Sequence, residues 1–454
     1  MTGILSKASA YQMAFQATDI TSTAMKAAIE DWFRLYYLQE DTKEEDPCQQ
    51  IPHTIVRKLT KTTFSEYTAT SKDAFAAQVL MELWMAAPEG MQKALIGGVS
   101  YLKPVPTKNG FRFLTVSRNN LLIFGRDPWG GLTDVGTAEV TAHDKHYYTL
   151  LERRTVDANG FLTVKCSLYR SFVEGDLGQR VALNTLPQYA DIPEVYTFPQ
   201  PVGSVGLIPV KVPIENCVDG GKDAVSVYAA ATGLIHNINR NEAQLNGEFE
   251  RGKSKIIASA DFLKKDKYGR TAIQDDVFVG MDEAPEEVGI TIFSPALREA
   301  SYLARKQDYL RSVENMIGLK RGLLSEVEAV ERTAKEITSS EGDYSLTITD
   351  FQGMWETAVR EALRVCGVLG QMYRIPGAHE VAEDQLVISW GNGVLFDEEK
   401  TRQRMLGEVQ AGLLQPERYL GFTYKRPCDT PAQRAKIRKD YMPEVMDEPE
   451  EDEV

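Results

Sequence analysis

Between Asp223 and Gly318 the sequence carries two long runs of helical periodicity separated by about 40 residues of different character. The first starts near Asp223 and sets Tyr228, Ala231, Leu234, Ile235, Ile238, Leu245 and Phe249 three and four apart, with Gly252 placed to end it. Its other face is rich in amides and charge: Asn237, Asn239, Arg240, Asn241, Gln244, Asn246 and Glu250. The second run reads Ser294 as N-cap and Pro295 at the first helical position, then Tyr302, Leu303, Tyr309, Leu310, Val313, Met316 and Ile317, and stops at Gly318. Each helix is about 35 Å long at about 1.5 Å per residue, longer than a local connection needs. The pair reads as a stalk that carries a small unit.

The intervening stretch, 253–293, offers strands at Lys255–Ala260, near Asp276–Val279 and near Ile290–Phe293. A basic group, Lys264, Lys265, Lys267 and Arg270, faces an acidic one, Asp282, Glu283, Glu286 and Glu287. A segment this short cannot bury an independent core and needs neighbours. Its charges suit a partner surface or ion pairs between subunits, and equally a solvated turn.

At 454 residues and 43% apolar content the chain can bury more than one core. Its five cysteines are widely spaced without a CxxC pair, so neither a disulfide framework nor a cysteine zinc site is indicated. The N-terminus shows no leader of signal type and no run spans a bilayer, so a soluble protein of a reducing compartment is expected. The formal charge is -14, and seven of the residues from Glu444 to Val454 are acidic. That balance argues against a protein whose task is to grip nucleic acid, because phosphate binding needs a basic footprint. It permits one past which nucleic acid slides.

In chain order, a helix is expected over Thr21–Leu38 and a polar loop over Glu40–Pro52. A second helix runs from Ser71 to Met85 with Phe75, Val79, Leu80 and Trp84 inward and Pro88-Glu89-Gly90 as its end. Tyr101–Val105, Phe111–Val116 and Leu121–Phe124 read as strands, and His146–Arg153 with Phe161–Phe172 as a hairpin across Asp157–Gly160. Beyond Gly318, Ser325–Glu328 fits a capping box for a helix broken at Ser339–Asp343. A longer helix follows over Thr349–Tyr373, then a strand at Gln385–Trp390, a helix at Asp397–Ala411 and short helices near Leu414–Leu420 and Asp429–Lys439. Trp32 and Trp355 read as core.

Enzyme signatures are poor. His143 and His146 flank Asp144 without an HExxH or paired-cysteine frame, and Gly97-Gly98, Gly130-Gly131 and Gly220-Gly221 lack any phosphate-loop frame. No catalytic residue, cofactor or metal is expected. The amide-rich face of the first helix suits packing against a copy of itself.

These features resemble the tailed-bacteriophage portal proteins of Gram-positive siphophage type. The stretch Gly220–Ala229, then Ile235, Ile238-Asn239 and Glu248–Lys253 with Ile256, is similar to a line of that family. So are Leu297-Arg298, Tyr302, Tyr309 and Gly318-Leu319, and the segment HYYTLLER from His146 to Arg153. The family's TATEV line has a counterpart in Thr333–Ile337, where Lys335 departs from threonine and Ile337 replaces valine.

The resemblance implies an α+β portal fold and a ring of about twelve subunits. Its parts would be an N-terminal wing (1–222), stem helices (223–252 and 294–318), a small α/β clip (253–293), further wing with a channel-lining helix (319–394), a short helical crown (395–440) and an acidic disordered tail (441–454). It implies a non-enzymatic channel for double-stranded DNA at the capsid vertex of a virion, assembled in the host cytoplasm. The terminase large subunit and then a head-to-tail adaptor would dock on the clip charges; the major capsid protein and scaffold are further partners, and no membrane is involved. Ring contacts would come from Asn237, Asn241, Gln244, Arg298, Tyr302 and Tyr309. Glu328, Glu331, Arg332, Lys335 and Glu336 would lie near the channel. The alternatives are a structural adaptor without a channel and a metal-dependent nucleic-acid-processing enzyme.

Overall fold

The computed structural model describes residues 3–37, 47–251, 255–259, 278–281, 291–293, 297–326, 334–391, 398–424 and 426–442. In chain order its elements are α1 (Ala8–Phe15), α2 (Thr23–Tyr36), α3 (Ile51–Thr63), β1 (Thr68–Ser71), α4 (Ala74–Gly97), β2 (Val99–Thr107), β3 (Gly110–Ser117), β4 (Leu121–Arg126), β5 (Leu132–His143), β6 (His146–Val156), β7 (Leu162–Ser171), β8 (Gln179–Val181), β9 (Val195–Thr197) and β10 (Ile208–Lys211). There follow α5 (Thr232–Arg251), β11 (Lys255–Ser259), β12 (Phe278–Met281), β13 (Thr291–Phe293), α6 (Glu299–Ile317), α7 (Ala334–Met372), β14 (Leu386–Ser389), α8 (Glu398–Gln410), α9 (Pro416–Thr423) and α10 (Pro431–Tyr441). The architecture is mixed α and β with open sheets, and among the described residues no helix is long and apolar enough to cross a membrane.

Two compact units divide the chain: Met1–Thr63 with Ala69–Ile388, and Phe64–Thr68 with Ser389–Val454. In the first, β10, β2 and β3 form an antiparallel sheet, and β4 to β8 form a second in sequence order with β9 also on β7. Alternation decides the faces: Leu121 and Ile123 of β4 and Val135 of β5 join Val99 and Tyr101 of β2 in one core, while Leu150 and Leu168 anchor another. The expected strands are present, and the hairpin turns at Asp157–Gly160. β5, for which the sequence reading named no element, pairs with β4 on one side and β6 on the other.

Several boundaries differ from expectation. Pro88 does not end α4; the helix continues to Gly97, because residues on both sides of the proline are packed and Ser100 Oγ donates to the Gly90 carbonyl at 2.7 Å. The single N–H that Pro88 lacks is outweighed by that burial. Trp84, expected inside, is 40% exposed, and Leu83 takes the core position. Ile51 and Pro52, assigned to a loop, open α3, whose Ile55, Val56 and Leu59 are fully buried. α7 runs unbroken through Ser339–Asp343, since weak helix formers lower propensity without forbidding the conformation. Trp32 and Trp355 are core residues as expected.

The first stalk helix begins at Thr232 rather than Asp223. The segment before it is fastened to the sheets instead: Arg126 Nη2 donates to Asp223 Oδ1 at 2.7 Å, and the buried Arg118 reaches the same oxygen at 3.3 Å. Ser226 Oγ and the Val227 N–H both donate to the Leu95 carbonyl, and Tyr228 Oη donates to the Trp32 carbonyl at 2.9 Å. Side chains that imitate a helical stripe are here buried in a series of turns.

The second unit holds α8, α9 and α10. Thr430 caps α10 in a reciprocal box with Gln433, and Arg438 pairs with Glu417 at 2.8 Å. The terminal acidic run lies outside the described residues from 443 onward.

Candidate functional site

α5 and α6 are each other's main packing partners. Asn241 Nδ2 donates to the Tyr302 carbonyl at 3.1 Å, Lys306 pairs with Glu242 at 2.8 Å, and Arg298 pairs with Glu248 at 2.9 Å. Glu242 meets Lys306 while Glu248, further along α5, meets the earlier Arg298, so the pair is antiparallel. Ile235, Ile238 and Leu245 of α5 and Leu310, Val313 and Ile317 of α6 are buried. Phe249, Leu303 and Met316, on the same apolar runs, are exposed at 42%, 45% and 56%. Each apolar stripe is therefore wider than the intrachain contact covers.

Electrostatics tightens both ends of this pair. Hydrogen bonds from the Arg298 guanidinium hold the Glu248 carboxyl down at about 2, and the same bonds raise Arg298. Toward the other end His236 lies 2.9 Å from Asp31. Burial alone would raise the Asp31 carboxyl, but the hydrogen bond and charge of His236, with Arg34, leave it below the ordinary range. Asn239, buried, accepts the Gln49 N–H at 3.0 Å.

Beyond α6, Gly318 takes a left-handed φ of 74° and ends the helix as its sequence position suggested. The following turn is held by Glu314, which is fully buried and accepts from the Leu324 N–H at 2.6 Å, the Ser325 N–H at 2.9 Å and Ser325 Oγ at 2.7 Å. Sequence reasoning missed this anchor; the available signal was a carboxylate on the face of α6 that carries Leu310 and Ile317.

Of the candidate ring contacts, Asn241, Arg298 and Tyr302 join the two helices within one chain. Arg305 Nε donates to Tyr309 Oη at 2.8 Å. Asn237 is half-buried and Gln244 exposed. Lys264, Lys265, Lys267, Arg270, Asp282, Glu283, Glu286 and Glu287 lie outside the described residues, as do Glu328, Glu331 and Arg332. Lys335 and Glu336 fall in the first turn of α7. Between the helices the expected three strands are present as one sheet, β11 pairing parallel with β12 and antiparallel with β13.

The histidine pair stands at the β5–β6 turn, His143 opposite His146 in register, with His143 Nε2 3.2 Å from Asp144. Among the described residues no group of three histidine, cysteine or acidic side chains is placed to hold a metal. Sequence reasoning missed a buried triad in the sheets, where Glu152 pairs with Lys103 and Arg154. Burial alone would raise the Glu152 carboxyl; Arg154 and Lys103 more than offset this and hold it at about 2. Next to it burial and the Glu152 charge push the Cys166 thiol up to about 11, so it stays protonated.

No family model matches the sequence, and no curated protein matches it. Among solved structures, the chain shows a likeness to one described as the neck of a native GTA particle computed with C12 symmetry. The TM-score is 0.43 at 10% identity, over 89% of this chain and 94% of that one. A second, the neck of an empty GTA particle computed with C6 symmetry, gives a TM-score of 0.40 at 12% identity, over 90% of this chain and 96% of that one.

Proposed function

We propose that this chain is the subunit of a portal ring, a channel at a capsid vertex through which double-stranded DNA is packaged and ejected. One observation carries the reading: an antiparallel pair of long helices, tied together within the chain, that leads into and out of a three-stranded insert and leaves apolar and amide positions uncovered on its outer faces. Copies of such a pair, side by side, form a repeated heterologous contact that closes on itself. In this reading α5 and α6 are the stem, the sequence between them is the clip that meets the terminase large subunit and then a head-to-tail adaptor, and the start of α7 lies near the channel. Gln244 and Asn237 take part in the contact between copies. The acidic balance of the chain suits passage of DNA without a deep electrostatic trap. The subunit carries out no hydrolysis; the motor does.

Electron microscopy of the purified 50.7 kDa chain tests the reading. Annular particles of about twelve copies, with a hole that admits a DNA duplex, are expected. Compact particles without a hole at every salt and protein concentration tried would overturn it. Reversing the charges of Lys264, Lys265 and Lys267 should leave the ring intact and impair capture of the motor or adaptor.

A further inference from the structure

Among the described residues of the first unit, the most exposed large hydrophobic side chain is Trp129, at 90%. It sits at the β4–β5 connection in a loop that is tightly tied. Asp127 Oδ1 accepts from the Trp129 N–H at 2.9 Å and the Gly131 N–H at 2.7 Å, and the Asp127 N–H donates to the Gly131 carbonyl at 2.9 Å. Arg126 Nη1 holds the Gly130 carbonyl at 2.8 Å, and Pro128 fixes its own φ. The indole is thus presented to solvent on a backbone that loses little freedom when it binds. Lys222 runs along the Gly130 backbone of the same loop: its Cβ and Cδ lie 3.6 Å from where a Cβ on Gly130 would be. Lys222 is exposed and forms no ion pair among the described residues.

The same unit contains an open cavity of about 630 Å³ whose walls include Leu114, Tyr196 and Phe198. That size is in the range of about 300–1,000 Å³ that takes a ligand with an aromatic ring. Its lining includes Glu152 with its ion-pair partners Lys103 and Arg154, and also Glu139 and Asp191, these two exposed and without an ion pair among the described residues. Trp129 is not among the lining residues. An exposed indole on a tied loop with a lysine along the same loop, and an aromatic-walled hollow with two unpaired carboxylates among its lining residues, are complementary in both shape class and charge. Because they are different patches on one chain, their union between copies is heterologous and repeats from copy to copy.

We propose that Trp129 of one copy inserts into the Leu114–Tyr196–Phe198 cavity of the next, with Lys222 against Glu139 and Asp191. This rests on the ring reading only for the closure of the repeat; the contact itself stands on the knob and the hollow. The test is self-association of the full chain by mass photometry, with acrylamide quenching of tryptophan fluorescence. Trp129→Ala, and independently Lys222→Glu, should weaken association at least about thirtyfold, the size of one central aromatic anchor. Lys222→Glu should be rescued by Glu139→Lys with Asp191→Lys, which a merely destabilised fold would not show. Wild-type association should remove a quenchable component that Trp129→Ala lacks. Association of Trp129→Ala and Lys222→Glu equal to wild type would overturn the contact while leaving a ring, if seen, intact. Dimers or open filaments that depend on Trp129 would support the contact and overturn the ring.

Discussion

Arg298 and Glu248 join two helices across 50 residues of sequence: Nε donates to Oε1 at 2.9 Å, Nη2 to Oε2 at 3.0 Å, and the Arg298 backbone N–H to Oε1 at 3.2 Å. A two-pronged guanidinium–carboxylate contact fixes orientation as well as proximity. It sets the register of α6 against α5 at the end next to the three-stranded insert.

Glu248→Gln should therefore loosen that end alone. Hydrogen exchange at residues 244–251 and 298–305 is expected to quicken, with the melting temperature within about 2 °C of wild type, because exposed pairs contribute little globally. The Glu248 carboxyl is held at about 2 against an ordinary 4.5, so the contribution of the pair is complete above 4.5 and is lost as the pH falls toward 2. In wild type the local exchange protection should follow that window.

Glu314→Ala should release the turn after α6. It removes three hydrogen bonds at once and leaves the buried Ser325 N–H without its acceptor, a loss of about 2–4 kcal/mol. Trypsin should cut faster at Lys320 and Arg321. Glu314→Gln, which keeps a carbonyl acceptor, should cleave at an intermediate rate.

Glu152→Gln should strand two cations among the sheets. Breaking a buried pair from one side costs about 3–5 kcal/mol, and a melting temperature lower by about 5–10 °C is expected. The native carboxyl at about 2 against 4.5 means that Glu152 contributes on the order of 3 kcal/mol above 4.5 and progressively less down to pH 2. The gap in melting temperature between variant and wild type should narrow as the pH falls through that range.

Gly98→Ala should be far worse than Gly220→Ala. Both glycines have positive φ, 81° and 67°, which costs an L residue about 1–2 kcal/mol. At Gly98 the new methyl would also sit 2.5 Å from the backbone carbonyl of Ala224, whereas nothing lies within 4 Å at Gly220. Denaturation of the two variants side by side measures the difference.

Periodicity located α5 and α6 because a helix with one buried side leaves its pattern in the sequence, and it placed the three strands between them. It failed where tertiary contacts replaced local ones. The run Ala224–Tyr228 has apolar residues in quantity, but Leu95 and Trp32 supply its hydrogen-bond partners, and no window of sequence contains both. β5 was missed because Asp134, Gly136, Ala138 and Glu139, weak strand formers, interrupt its Val and Thr positions; pairing on two sides compensates. Of the site, Asn241 was legible on the amide-rich face of the first helix and Tyr302 on the apolar run of the second, whereas Arg298 was singled out only through the resemblance. Trp129 and the Glu152 triad were not, since exposure and ion pairing across sheets have no periodic signature.

The antiparallel course of α5 and α6 brings the point where the chain leaves for the insert next to the point where it returns, and Lys255 stands opposite Phe293 in register. A segment whose two junctions adjoin is a cassette. Such a segment can be lengthened, shortened or exchanged for another sequence with little change to the helices that hold it.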